Sequence, residues 1–300
     1  MFQRVRASFL VEIVNYSIHR KNQGRAEATI INEVRTLKLL AKQANILDPE
    51  SVKEAIANAN VANATKSKRV KTYSAFLKWK KIEWTPPFYK PVEHIPFIPT
   101  ENELDILIAA SGKRLSTTLQ MLKETGMRIS EAHMIKWTDI NFEAKTISIT
   151  PAKGSLPRIL PLSNKVLDML NNLPKNRETI LPTSQSSFRS GFNKQRIRTS
   201  LKLQNNRLMK ISFHTFRHFK GTIEYHKTKD IMHVKYILGH RDIKTTLIYI
   251  NIEQATFLNQ TNDWTSKVSH TIEEETTLIN TGFELVRSIN ETTAIYKKRK

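Results

Sequence analysis

Apolar residues recur at helical spacing along most of the chain, and prolines and glycines divide it into runs. From Phe2 to about Trp84 the pattern is helical. Ile30, Val34, Leu37 and Leu40 repeat three and four apart, with Arg35, Lys38 and Lys42 on other faces. Asp48-Pro49 reads as an N-cap followed by proline at the first helical position, opening a short helix through Ile56. Val70, Tyr73, Phe76 and Leu77 mark another helix. Pro86, Pro87, Pro91, Pro96 and Pro99 then rule out a continuing helix and predict a stiff, extended connection. Thr100 to Glu103 reads as a capping box, followed by Leu104, Leu107, Ile108, Leu115, Leu119 and Leu122 at helical spacing. Gly126 breaks that run, and a new helix begins near Ser130. From Lys145 to Leu162 the period drops to two, so Thr146–Thr150 and Arg158–Leu162 read as paired strands around a PAKGSLP turn.

Further on, Val166 to Leu173 predicts a short helix, and Phe188 to Leu201 a basic one. Asp230 to Leu238 predicts a helix stopped by Gly239, a natural left-handed end. Asp242 is placed to cap the next helix, which carries Tyr249. In the tail, Glu273 to Leu278 reads as a helix. FELVRSI and TAIYKKRK read as a hairpin around Asn290-Glu291-Thr292, ending in basic residues. The pattern as a whole predicts a mainly α fold with a small antiparallel β-sheet, an α+β class.

Charge narrows the partners. There are 48 Lys and Arg against 27 Asp and Glu, a formal net charge of +21 and a pI near 10.1. Such an excess points to a polyanion, most often nucleic acid, against the alternative of a merely solvated basic surface. Lys66, Lys68, Arg69 and Lys71 lace one helix of the first run, and Arg189, Lys194, Arg196 and Arg198 lie on the later basic helix. These eight are the candidate phosphate contacts, which position a protein on nucleic acid without reading sequence. The chain has no cysteine, which excludes disulfides and thiol catalysis and fits a reducing cytoplasm. No apolar run approaches ~18 residues, so no membrane span is expected. The first residues read as a helix and not as a cleaved leader.

The chemistry concentrates between Ile211 and Ile250. His214 and Arg217 sit three apart, on one helix face. His240 follows the helix stop at Gly239, and Tyr249 lies nine residues later. Arg128 lies at the earlier helix break, where a guanidinium opposes the helix dipole unless an anion comes to it. Lys153 lies in the strand turn. Taken alone, each has a plainer reading. A tyrosine at helical spacing is usually core, the reading kept for Tyr225, Tyr236 and Tyr296. His133, His218, His226 and His233 read as packed or exposed. His226 and His233 have no carboxylate or thiol at ligand spacing, so no metal site is expected.

Taken in order, Arg128 in TGMRISE, Lys153 in the turn, His214 and Arg217 in HTFRH, His240 in LGH and Tyr249 resemble the tyrosine recombinases, the lambda-integrase-like family that includes Xer proteins. The wording of RSGFNKQRIR, YHKTKDIMHVKYILGH and the final hairpin is similar to archaeal integrases. Phe216 stands where leucine is commoner in that family. The resemblance implies a helical, SAM-like core-binding domain over 1–84, a linker over 85–99, a catalytic domain over 100–260 and a tail over 261–300. It implies Tyr249 as the nucleophile on a DNA phosphate, giving a 3′-phosphotyrosine and a free 5′-hydroxyl, with neither metal nor ATP. Arg128 and Arg217 are then the phosphate clamps, Lys153 the general acid, His214 and His240 the helpers, and Glu131 a support for His214 or Arg128. The implied partner is double-stranded DNA, bound by a homotetramer, with a monomer admitted in solution. The implied location is the cytoplasm, at the nucleoid. A type IB topoisomerase and a non-catalytic DNA-binding protein on the same scaffold remain the alternatives.

Overall fold

The computed structural model describes residues 2–92, 94–152, 154–181, 184–257, 264–290 and 293–299. Two compact units divide the chain, Met1–His94 and Ile95–Lys300. Among the described residues the first unit has four helices: α1 Phe2–Asn22, α2 Glu27–Gln43, α3 Pro49–Ala57 and α4 Asn63–Lys80. Its core takes part of the predicted apolar face: Leu37 and Leu40 are buried, Val34 packs against them half-buried, and Ile30 is half-exposed outside the core. Leu37 and Leu40 of α2, Val52 and Ile56 of α3, and Val70, Tyr73, Phe76 and Leu77 of α4 bury with Phe9, Ile13 and Tyr16 of α1. Asp48 caps α3 by accepting from the Glu50 N–H at 3.1 Å, with Pro49 at the first helical position. Between Lys81 and Pro99 the described residues form no helix or strand, as five prolines require.

The second unit begins with α5 Glu101–Ala109, whose capping box joins Thr100 and Glu103 in both directions, at 3.2 and 2.8 Å. Next come α6 Lys113–Thr125 and the one-turn α7 Ile129–Ala132, separated by Gly126 in the left-handed conformation (φ 63°). A small sheet follows: β1 Ile140–Asn141, β2 Thr146–Ile149 and β3 Arg158–Pro161, antiparallel in the order β1-β2-β3, with Ile147 opposite Leu160. Its inward face carries Ile147, Ile149 and Leu160, and also Arg158, an unusual inward charge. Then come α8 Asn164–Asn171, α9 Gln185–Lys202, α10 Phe213–Thr228, α11 Ile231–Leu238 and α12 Ile248–Phe257. α10 lies at the centre and packs on α6, α11 and α12.

The remaining elements are β4 Trp264–Ser269, α13 Ile272–Asn280, β5 Glu284–Ser288 and β6 Ala294–Arg299. The strands form a second antiparallel sheet in the order β4-β6-β5. The fold is thus mainly helical with small antiparallel sheets, the predicted class. Two details differ, and one lies outside the described residues. β4 was not predicted, and it makes the tail hairpin two strands of three. Part of that hairpin's turn, residues 291–292, lies outside the described residues. Asp242 caps a separate 3-10 turn, Ile243–Thr245, through the Lys244 N–H at 2.9 Å, and not the helix of Tyr249. Among the described residues no helix is long and apolar enough to cross a membrane.

Candidate active site

Ser212 fixes the phase of α10. Its hydroxyl accepts from the Thr215 N–H at 3.4 Å, and its own N–H donates to the Thr215 hydroxyl at 2.8 Å. From that start, His214, Arg217, His218 and Gly221 fall on one face. Arg217 is 1% exposed, the largest fully buried side chain among the described residues. Its guanidinium donates to the Gly126 carbonyl at 2.9 Å and to the Leu238 carbonyl at 2.6 Å. Those carbonyls end α6 and α11, where helices leave acceptors unmade and the dipole is negative. One arginine therefore joins two helix ends beneath α10. Burial, and then Arg128, pull its pKa down to about 10, which leaves it charged at neutral pH.

Arg128 is the N-cap of α7. Its Nη1 donates to Ser155 Oγ at 3.0 Å and to Glu131 Oε1 at 3.3 Å, and its N–H donates to Glu131 Oε2 at 2.9 Å. Glu131 thus answers the arginine's conflict with the helix dipole. Glu131 also accepts from Ser155 Oγ at 2.6 Å and from Arg158 Nη2 at 2.8 Å. Burial pushes the Glu131 carboxyl up, but these donors outweigh it and hold its pKa down to about 2. Glu131 supports Arg128, not His214, of the two roles predicted for it.

His240 follows Gly239, whose left-handed φ of 64° ends α11. Its Nδ1 lies 2.9 Å from the Thr246 hydroxyl. Its ring is parallel to that of Tyr249, with centroids 6.4 Å apart. Tyr249 is buried on α12, and its hydroxyl lies 3.4 Å from His218 Nδ1. The His218 ring meets His214 edge-on at 4.5 Å. Burial pushes the Tyr249 phenol up to about 12, against the pull of Arg217 and Arg128. Burial first, and the nearby arginines after it, lower His214 and bring His240 down to about 3. Burial, then His214 and Arg217, bring His218 down to about 4. The imidazoles are therefore neutral at neutral pH.

A cleft of about 510 Å³ opens on this cluster, with Arg128, Ser130, Gln185, Arg189, His214 and Arg217 among its walls. Five of the six predicted catalytic positions are gathered around it: Arg128, His214 and Arg217 on its walls, His240 and Tyr249 packed behind them. The sixth, Lys153, lies outside the described residues. Its neighbour Gly154 turns the chain at φ 75°.

Residues 99–256 match the profile of the phage integrase family, more than half of the chain. The chain belongs to the phage integrase family. By family it is a tyrosine site-specific recombinase. A tyrosine recombinase of Thermosipho africanus is 24% identical over 258 residues, which cover 78% of this chain and 91% of that protein. The TnP I resolvase of Bacillus thuringiensis is 30% identical over 177 residues, 57% of this chain and 62% of the resolvase. Among solved structures, a lambda integrase(75-356) dimer bound to a COC′ core site superposes with a TM-score of 0.62 at 17% identity, over 81% of this chain and 95% of that one. That likeness is one of fold.

The recombinase departs from expectation at several side chains. Of the basic candidates, Arg189 lines the cleft, and Lys194 and Arg198 are exposed on α9. Arg196 turns inward and donates to the Ile211 carbonyl at 2.5 Å. On α4, Lys68 and Lys71 are exposed and Arg69 is half-buried, while Lys66 donates to the Ala57 carbonyl at 2.6 Å and lies over the Tyr89 ring. Two backbone carbonyls thus engage Arg196 and Lys66, both half-buried. Tyr236 is 55% exposed and not core, because its hydroxyl reaches the Ile159 carbonyl at the sheet edge. His226 and His233 do have carboxylate partners, Glu253 at 2.7 Å and Glu224 at 3.4 Å. Among the described residues no group of three or more His, Asp or Glu is placed to hold a metal. Sequence reasoning missed Ser155, Arg158, Gly221 and Thr246, and left His218 as merely packed. Arg158 had one signal, its inward place in the period-two pattern of β3. Gly221 had another, one turn after Arg217 on the same face.

Proposed function

We propose that this recombinase cuts and rejoins double-stranded DNA through a phosphotyrosine at Tyr249. One observation carries the proposal: two guanidiniums, Arg128 and Arg217, and the imidazole of His214 face one cleft, with the Tyr249 phenol behind them within reach of their charge. In the reaction, the Tyr249 oxygen attacks the scissile phosphorus and the P–O5′ bond breaks. The phosphate stays on the tyrosine as a 3′-phosphotyrosine, and the departing 5′-oxygen takes a proton. Attack by the 5′-hydroxyl of another strand reverses the step, so the bond energy is retained and no ATP or metal is called for.

Arg128 and Arg217 bind the non-bridging oxygens as charge develops there, a match of guanidinium forks to phosphate. Removing either is expected to cost on the order of 3 kcal/mol of transition-state stabilisation. Lys153 is the proposed acid for the 5′-oxygen. His240, tied to Thr246 through Nδ1, presents its other nitrogen as a donor to the phosphate, and His214 takes part in proton movement at the phenol. A phenol with a pKa near 12 is a poor nucleophile, so Tyr249 at rest must leave its buried seat or lose its proton on attack. Exchange between two duplexes calls for four copies on DNA.

The test is covalent capture. A suicide duplex is first selected from a library of randomised core sequences by trapping on the wild-type protein. Wild type should give a denaturation-resistant adduct, and Tyr249→Phe should bind the same duplex without one. An adduct from Tyr249→Phe would move the nucleophile elsewhere. Relaxation of any supercoiled plasmid, with no exchange between matched sites, would replace the proposal with a topoisomerase.

A further inference from the structure

Arg128 is held by a side chain that does not itself reach the cleft. We propose that Arg158 is a positioning residue for Arg128, acting through Glu131 and Ser155. The inference rests on the function proposed above, since it concerns a clamp on the scissile phosphate.

Arg158 opens β3 from the inward face, and its side chain and that of Glu131 are both 0% exposed. It therefore does not touch DNA itself. Its Nη2 donates to Glu131 Oε2 at 2.8 Å. That same oxygen accepts the Arg128 N–H at 2.9 Å, and the other carboxylate oxygen accepts Ser155 Oγ at 2.6 Å and Arg128 Nη1 at 3.3 Å. Ser155 Oγ in turn accepts from Arg128 Nη1 at 3.0 Å. The Arg128 side chain is thus held by two groups, the Glu131 carboxylate and the Ser155 hydroxyl, and the hydroxyl itself donates to the carboxylate that Arg158 fixes. A buried ion pair is weak evidence for stability, because desolvation offsets its attraction. What it does supply is direction.

The second arm of the guanidinium extends the connection. Arg158 Nη1 donates to the Leu156 carbonyl at 3.3 Å, and the Leu156 N–H donates to the Gly239 carbonyl at 3.0 Å. A Cβ on Gly239 would meet Arg158 Nη1 at 2.7 Å. One planar fork therefore ties the start of β3, the turn before it and the corner that leads into His240 to the helix start of Arg128. A lysine supplies one point charge and cannot hold both directions.

The variant is Arg158→Lys, with Glu131→Gln as a second that keeps the shape of the carboxylate. The first readout needs no DNA: the Nε–Hε order parameter of Arg128 by nitrogen-15 NMR on the whole chain. It should fall in both variants, and an unchanged Arg128 signal would overturn the inference. The second readout uses the selected suicide duplex with either a phosphodiester or a neutral methylphosphonate at the scissile position. Misplacement of the clamp should slow cleavage of the phosphodiester by about a hundredfold, the scale of an ångström's displacement. The loss should narrow on the methylphosphonate, where less charge needs a clamp, and should not add to that of Arg128→Ala. Equal losses on both substrates, or full additivity, would mean that Arg158 only stabilises the fold. Failure of wild type to form any adduct would sink the proposed function instead, and the NMR readout would then decide the role of Arg158 on its own.

Discussion

Tyr249 rests on a glycine. A Cβ built on Gly221 would lie 2.5 to 2.9 Å from three atoms of the phenol ring, closer than real contacts allow. Gly221 is in mid-helix, where alanine would otherwise be favoured by up to ~1 kcal/mol. Gly221→Ala should therefore destabilise the protein by about 1–3 kcal/mol through overpacking, despite the better helix former. In a Tyr249→Leu background the same change should cost clearly less, and urea melts of the four proteins measure that coupling. Equal costs in both backgrounds would show that the ring is not the obstacle. At this scale the sequence was partly legible. Arg128, His214, Arg217, His240 and Tyr249 stand out because guanidiniums, imidazoles and a phenol at helix ends are unusual together, and the fold gathers them. His218, Ser155 and Arg158 did not stand out. Their partners, Tyr249 at 31 residues and Glu131 at 24 and 27, are remote in sequence, and nothing local marks the pairing.

Helix ends were the most legible elements. Asp48, Thr100, Gly126 and Gly239 each end or open a helix where the pattern placed it, because a cap is a local device. Asp242 misled because the chain makes a 3-10 turn after it and turns again at Thr246 and Leu247 before α12 starts at Ile248. β4 was hidden for a different reason. Its partner β6 lies beyond α13 and β5, and Val268 is its sole aliphatic residue, so the period-two signal is faint. The elements around α10 also set the response to acid. His218 falls to about 4 and His240 to about 3, both from an ordinary value near 6.5. A histidine held neutral by the fold stabilises it fully above the unfolded pKa and progressively less as pH falls toward the folded one. The midpoint of urea unfolding should therefore decline from about pH 6.5 down toward pH 4. Glu131, at about 2, adds its own loss only below its unfolded value of 4.5. Replacing His218 by Gln should flatten the upper part of the decline. A midpoint constant from pH 6.5 to 5 would contradict the burial of these imidazoles.

Across the whole molecule the excess of 21 positive charges is not one uniform surface. Some cations are exposed and others are already engaged by the protein's own carbonyls, and only the first kind can release counterions from DNA. Binding to a duplex of arbitrary sequence should weaken steeply with salt, with a log–log slope of about −0.9 for each phosphate neutralised. Lys194 and Arg198 are exposed on α9, so replacing both with Ala should make the slope shallower by roughly two. Arg196, on the same helix, is half-buried and donates to the Ile211 carbonyl. Arg196→Ala should leave the slope nearly unchanged and lower the melting temperature instead, because it orphans that acceptor. Lys66 offers the same contrast against Lys68 and Lys71 on α4, since its ammonium is held by the Ala57 carbonyl and the Tyr89 ring. Fluorescence anisotropy between about 50 and 200 mM salt measures each slope. If Arg196 or Lys66 proved equal to its exposed neighbours, those side chains would have to swing outward on DNA, and the contact surface would be set by charge count and not by the fold.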